Sequence, residues 1–213
     1  MYEDLGVDRP RDYPVLGVDI SHHQGKIDFN KLVDSGKDGD SIQFVYIKAT
    51  EGTDHIDSRY EKNAEALSEY EIPYGFYHYF HPSISATLQA DFFITTIKFY
   101  NFKLRPVIDV EVDQDQNAQA IRDSVKVFID EVEKELDVEP LLYSYVSFYD
   151  QYLNSATLED QDLWLAAYSQ EVNSLIYPRL LLWQFTEKGT VDGVKTYIDL
   201  NVGREGVLDS LAR

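Results

Sequence analysis

Four carboxylates stand in β-rich apolar runs of the sequence: Asp19 in VLGVDI, Asp109 and Glu111 in RPVIDVEV, and Asp199 in TYIDLNV. Acids gathered at one site suit general acid–base chemistry. Like charges crowded into a partly dry space oppose one another's ionisation, so at least one carboxyl keeps a transferable proton near neutral pH. A lone Asp at a strand end more often hydrogen-bonds a neighbouring loop, so the informative feature is that four acids share an orientation. Side chains alternate along a strand. That alternation puts Val107, Asp109 and Glu111 on one face and Ile108 and Val110 on the other; Gly17 and Asp19 oppose Leu16, Val18 and Ile20, and Tyr197 and Asp199 oppose Ile198 and Leu200.

The elements that must position these acids read as an α/β fold. Strand candidates cover 15–20, 43–50, 73–80, 105–112, 140–146, 162–168, 179–185 and 196–202. Helices are expected near 28–35, 58–70 and 83–99, and most clearly over 118–136, where Ala118, Ile121, Val125, Phe128, Val132 and Leu136 hold one face. The first five strands alternate with helices and the last three barely do, which fits a closed barrel with an incomplete helical jacket. The C-terminal strand ends of such a barrel form the mouth of its site. Asp19, Asp109, Glu111 and Asp199 are expected near such ends, and Asp19 and Asp199 should converge because the first and eighth strands are neighbours. A single domain is expected over 15–213, with 1–14 as an N-terminal extension or linker.

Composition narrows the function. Lys+Arg total 19 against 38 Asp+Glu, a formal charge of −19, which disfavours nucleic acid and anionic membrane surfaces as partners. There is no Cys, hence no disulfide and no thiolate metal site. No window approaches the ~18 apolar residues of a membrane span, and the start MYEDLGVDRPRDYP lacks the blocks of a signal peptide. Sixteen Tyr and 11 Phe supply flat apolar faces, Tyr with a polar tip as well, and these suit sugar binding. His22 and His23 read as a polar loop shaping a cleft rather than as metal ligands, and His78 as a hydrogen-bonded core residue. The reading calls for no metal and no cofactor.

From Leu16 to Val202 the chain resembles glycoside hydrolase family 25, the lysozymes that act as N-acetylmuramidases. The resemblance rests on GVDISHHQGKIDF, FVYIKATEGT with a later Asp57, IPYGFYHYF, VIDVE, LYSYVSF, LWLAAY, LLWQF and IDLNV, in that order. IDF stands where the family often has IDW, and SHHQG replaces a more usual Asn-containing turn. The resemblance implies a TIM-like barrel modified to (β/α)5(β)3 and cleavage of the glycan strand of peptidoglycan between N-acetylmuramic acid and N-acetylglucosamine. It places the catalytic acid on Glu111, the assisting carboxylate on Asp109 and two further acids on Asp19 and Asp199. Tyr145 matches a substrate-contacting position, and Tyr77, Lys48, Trp164 and Trp183 fall on the cleft lining. It further implies retention through the substrate's acetamido group, with two-carboxylate inversion using Asp19 or Asp199 as base the mechanistic alternative. A catalytically silent glycan-binding barrel is the alternative of a different class. Work on the cell envelope, outside the cytoplasm and as a monomer, is the corresponding expectation.

Overall fold

The computed structural model describes residues 5–35, 41–70 and 72–213. The described residues form nine strands: β1 (Val15–Ile20), β2 (Phe44–Glu51), β3 (His55–Ile56), β4 (Tyr74–Tyr79), β5 (Val107–Asp109), β6 (Leu141–Tyr145), β7 (Leu163–Ala166), β8 (Leu180–Gly189) and β9 (Ile198–Gly203). Their order is β1-β9-β8-β7-β6-β5-β4-β2-β3, and the pairing of β1 with β2 closes eight of them into a barrel. The short β3 is a ninth strand, laid antiparallel on β2. The helices are α1 (Phe29–Asp34), α2 (Tyr60–Glu69), α3 (Ala86–Ile97), α4 (Ala118–Leu136), α5 (Val146–Phe148) and α6 (Val207–Leu211), with a π-helical turn at Tyr149–Leu153.

Two sequence expectations need adjusting. The strand read over 105–112 is regular only from Val107 to Asp109, so Glu111 stands just beyond it on irregular backbone. Asp199, expected near the end of the last strand, is the second residue of β9. It still reaches the mouth because β9 runs antiparallel to both β1 and β8. The eight residues between Gly189 and Ile198 cannot carry a parallel crossover, which needs a dozen or more, so the chain must turn back at the mouth.

Alternation along the strands builds two apolar layers. Phe44, Tyr46, Val107, Leu141, Trp164 and Leu182 fill the barrel interior, closed below by Leu104 and Leu211. Gly17 makes room for this filling: a Cβ there would lie 2.4 Å from the Phe44 ring. The outer layer, with Val18, Ile47, Phe76, Ile108 and Leu165, packs against the helices. α4 shows how sequence sets one of these. Asn117 caps its first turn by accepting from the Ala120 N–H at 3.1 Å, Asp137 ends it in the left-handed region, and Ile121, Val125, Phe128, Val132 and Leu136 bury one face. Each such buried side chain contributes about 1.5–3 kcal/mol of transfer free energy.

Residues 5–14 are packed on the barrel. Leu5 and Tyr13 are buried, the Thr190 N–H donates to the Leu5 carbonyl at 2.9 Å, and the Tyr13 ring meets Trp183 edge-on at 5.5 Å. Among the described residues no helix is long and apolar enough to cross a membrane.

Candidate active site

The strand ends gather all four acids around one cleft of about 460 Å³ at the barrel mouth, within the size range of small-ligand sites. β1 and β9 pair with Asp19 directly opposite Asp199. Asp19 Oδ1 accepts from Asn201 Nδ2 at 2.7 Å and from Gln184 Nε2 at 3.0 Å. Burial raises Asp19 to about 6, and these amide donors, which favour its ionised form, oppose that rise. Asp199 therefore takes the proton of this pair: burial raises it most, the Asp19 charge adds to that, and its carboxyl hydrogen-bonds Asp19.

Asp109 ends β5 and is 7% exposed. Its Oδ1 is buried with no hydrogen-bond partner. Burial first, and then the Glu111 charge, push its carboxyl well above the usual carboxylate range. Glu111 follows two residues later and is pushed up to about 7, again chiefly by burial. The backbone beneath Glu111 is held by β6, where the Val110 N–H donates to the Tyr143 carbonyl at 3.0 Å and Ser144 Oγ donates to the Val110 carbonyl at 2.7 Å. Two adjacent acids whose ionisations oppose one another have the arrangement that acid–base chemistry needs.

The sequence profile of glycosyl hydrolases family 25 matches residues 18–194. The chain belongs to glycosyl hydrolase family 25. It is 35% identical over 193 residues to the autolytic lysozyme of Clostridium acetobutylicum, covering 90% of this chain and 56% of that protein. It is 33% identical over 193 residues to YegX of Escherichia coli K12, covering 91% of this chain and 71% of that one. The structure of a family 25 glycosyl hydrolase from Bacillus anthracis superposes with a TM-score of 0.83 at 28% identity, covering 97% of both chains. This family 25 member is accordingly a glycoside hydrolase of the lysozyme class on a TIM-like barrel.

Around the family 25 acids the cleft wall is aromatic. Tyr77, Tyr79, Tyr145 and Tyr168 line it, and the rings of Tyr145 and Tyr168 meet edge-on at 6.0 Å. Lys48 lines it too, with Nζ 2.7 Å from Glu51 Oε2 and 5.0 Å from the Tyr79 ring centroid. Trp164 forms the floor: it is 2% exposed, and its Nε1 donates to Asn201 Oδ1 at 2.8 Å. Trp183, expected on the lining, faces the other way. Period-two alternation sends its neighbours Leu182 and Gln184 into the barrel and Trp183 outwards, where its Nε1 donates to the Ala167 carbonyl at 2.9 Å.

His23 lines the cleft, and its ring lies tilted against that of His22 with centroids 4.0 Å apart. The turn that carries both is set by a capping box in which Ser21 Oγ accepts from the His23 N–H and the Gln24 side chain accepts from the Ser21 N–H. His22 is anchored to the fully buried Asp57 through its backbone N–H at 2.9 Å and its Nδ1 at 2.7 Å. His78 is the hydrogen-bonded core residue expected, lying between Thr50 Oγ1 at 2.8 Å and Gln89 Oε1 at 3.2 Å, and burial holds it neutral, down to about 3.

The sequence reading missed the amides that bind Asp19. Both carried a signal, since Gln184 interrupts the apolar run LLLWQF on its inward face and Asn201 shares the face of Asp199. Tyr168 stands just after β7, which ends at Ala166, yet alternation along the strand expected over 162–168 puts it on the face of Trp164 and Ala166, so it too carried a signal. Its hydroxyl joins that of Tyr143 on Gln184 Oε1, at 2.7 Å and 2.9 Å.

The crowded acids make a stability prediction. A carboxyl whose folded-state pKa is raised stabilises the fold fully below its unfolded-state pKa, and that contribution is lost as pH rises through the folded-state value. For Asp199, raised to about 8, the loss runs from ordinary carboxylate pH up to about that value. Asp199→Asn removes the ionisation while leaving a donor for Asp19. The variant is expected to melt higher than wild type at pH 8 by several degrees, at roughly 2–4 °C per kcal/mol, and to lose that advantage at pH 4. Melting scans at the two pH values check it; an advantage that does not change with pH would refute it.

Proposed function

We propose that this enzyme cleaves the β-1,4 bond between N-acetylmuramic acid and N-acetylglucosamine of peptidoglycan with retention, through participation of the substrate's acetamido group. Glu111 is the general acid and Asp109 the group that orients and polarises the acetamido N–H. The observation that carries this reading is Asp109, which lines the cleft beside Glu111 and has one carboxyl oxygen, Oδ1, buried without a hydrogen-bond partner. A buried acceptor without a partner is costly, and a substrate N–H donated to this under-bonded carboxyl group from the cleft would offset that cost. That hydrogen bond favours ionised Asp109, so filling the site moves the shared proton to Glu111, where the leaving oxygen needs it.

The steps balance on these groups. The acetamido carbonyl oxygen bonds to the anomeric carbon as the glycosidic bond breaks, and the Glu111 proton goes to the leaving oxygen. The N–H charge that develops is met by Asp109. Water then adds to the anomeric carbon, giving its proton to Glu111 and reopening the acetamido ring. Asp109 leaves from the same strand end as Glu111, whereas a carboxylate nucleophile must stand across the bond, roughly 5 Å from the acid. Asp19 supports the cleft as a saturated acceptor and Asp199 as its proton-bearing partner.

Tyr77 and Tyr145 offer ring faces to the sugars, Lys48 supplies the cation of an otherwise acidic cleft, and Trp164 shapes its floor. Residues 15–213 are the catalytic unit, acting as a monomer, since one chain holds all four acids. Its substrate places its work outside the cytoplasm. Digestion of purified peptidoglycan, with mass spectrometry of the reducing ends and NMR of the first-formed anomer, tests the reading. Reducing-end N-acetylmuramic acid in the β configuration is expected. Reducing-end N-acetylglucosamine or a first-formed α anomer would refute it, and binding without release would favour a silent glycan-binding barrel.

A further inference from the structure

Beyond the four acids, the loop that carries Glu111 has an unusual backbone. Gln114 and Asp115 are consecutive non-glycine residues with φ of 47° and 62°. This left-handed region disfavours side chains other than Gly, Asn and Asp, and such conformations persist only where the surroundings impose them. Here the Gln114 side chain is gripped at both ends. Its Oε1 accepts from the Ser83 N–H at 3.1 Å and from Ser83 Oγ at 2.6 Å, and its Nε2 donates to His81 Nδ1. An amide nitrogen has only protons to offer, so His81 Nδ1 is the acceptor and the neutral ring carries its proton on Nε2. That proton points at Glu51 Oε1, 3.1 Å away, and Glu51 in turn holds Lys48.

His81 is itself fixed from the core. Its backbone N–H donates to Gln89 Oε1 at 2.9 Å, and its carbonyl accepts from Gln89 Nε2 at 3.0 Å; Gln89 is fully buried on α3. The other flank of the loop is tied where the Tyr152 hydroxyl donates to Asp113 Oδ2 at 2.7 Å. Glu111 therefore sits on a short span between backbone held by β6 at Val110 and a left-handed turn held by His81 and Ser83.

We propose that Gln114 is a positioning residue for Glu111: its grip on His81 and Ser83 imposes the left-handed turn that aims the acid at the leaving oxygen. The same His81 reaches Lys48 through Glu51, so one imidazole sets both the acid's loop and the cation beside it. The inference rests on Glu111 acting as the general acid.

Gln114→Gly is the informative variant, because glycine adopts the left-handed backbone freely and removes the grip without threatening the fold. It is expected to lower kcat on purified peptidoglycan about 10- to 100-fold, the scale of a displacement near 1 Å, with KM little changed and the melting temperature equal or higher. On an aryl glycoside with a nitrophenolate leaving group, which needs little protonation, the loss should shrink to a few-fold. Gln114→Asn tolerates the same backbone but is too short to reach both partners, and should behave alike. Unchanged kcat on peptidoglycan, or an equal loss on both substrates, overturns the proposal. Glu111→Gln measured alongside separates the failures: full activity there removes the acid's assignment, whereas a dead Glu111→Gln rescued by the aryl glycoside, beside a wild-type Gln114→Gly, removes only the role of Gln114.

Discussion

Glu111→Gln is expected to lose turnover on peptidoglycan by roughly 10²–10⁴-fold, the range of general acid catalysis, while still binding the glycan. The amide keeps the size of the side chain, but it has no proton to release. Because burial pushes Glu111 up to about 7, the wild-type rate should fall on the alkaline side through that pH as the acid is lost, and this limb should vanish from the residual activity of the variant. An aryl glycoside with a nitrophenolate leaving group should recover most of the lost rate. Rate measurements on both substrates across pH 4–9 check the result. Full activity of the variant on peptidoglycan, or no recovery on the aryl glycoside, would place the proton donor elsewhere.

Asp109→Asn is expected to be comparably damaging on peptidoglycan but without that recovery. Its Oδ1 lies buried without a partner, and an ionised carboxylate there stabilises the charge that develops on the acetamido N–H. An amide offers at best a neutral acceptor, and charge-assisted hydrogen bonds are about twice as strong as neutral ones. A better leaving group lowers the need for protonation and leaves the need for this charge intact, so the nitrophenyl glycoside should rescue Asp109→Asn far less than Glu111→Gln. Removing Asp109 also removes a neighbour whose ionisation competes with that of Glu111, so the alkaline limb should shift in this variant rather than disappear. The same pair of substrates measures both variants; equal rescue would show that the two acids do not have separate roles.

The sequence by itself determined the four acids, their shared inward face and the barrel that presents them. Those features are local: alternation along VIDVE and VLGVDI assigns the faces, and the fading of helical periodicity after residue 136 marks the incomplete jacket. The eight motifs from GVDISHHQGKIDF to IDLNV, taken in order, also indicated the family. What the tertiary structure decided depends on contacts between residues distant in the chain. The antiparallel course of β9 brings Asp199 opposite Asp19, and strand direction is set by how a short connection closes the barrel rather than by the strand's own pattern. Trp183 and Trp164 both sit in apolar strand segments that look alike in sequence, and register alone sends one outwards and the other to the cleft floor. The unequal hydrogen bonding of the acids, with Asp19 Oδ1 bound by Gln184 and Asn201 and Asp109 Oδ1 without a partner, comes from side chains more than 160 residues away from Asp19. The grip on Gln114 likewise needs His81 and Ser83, over 30 residues earlier, brought beside it. Composition and periodicity carry no record of such pairings, because they register which face a residue takes and not which partner waits there.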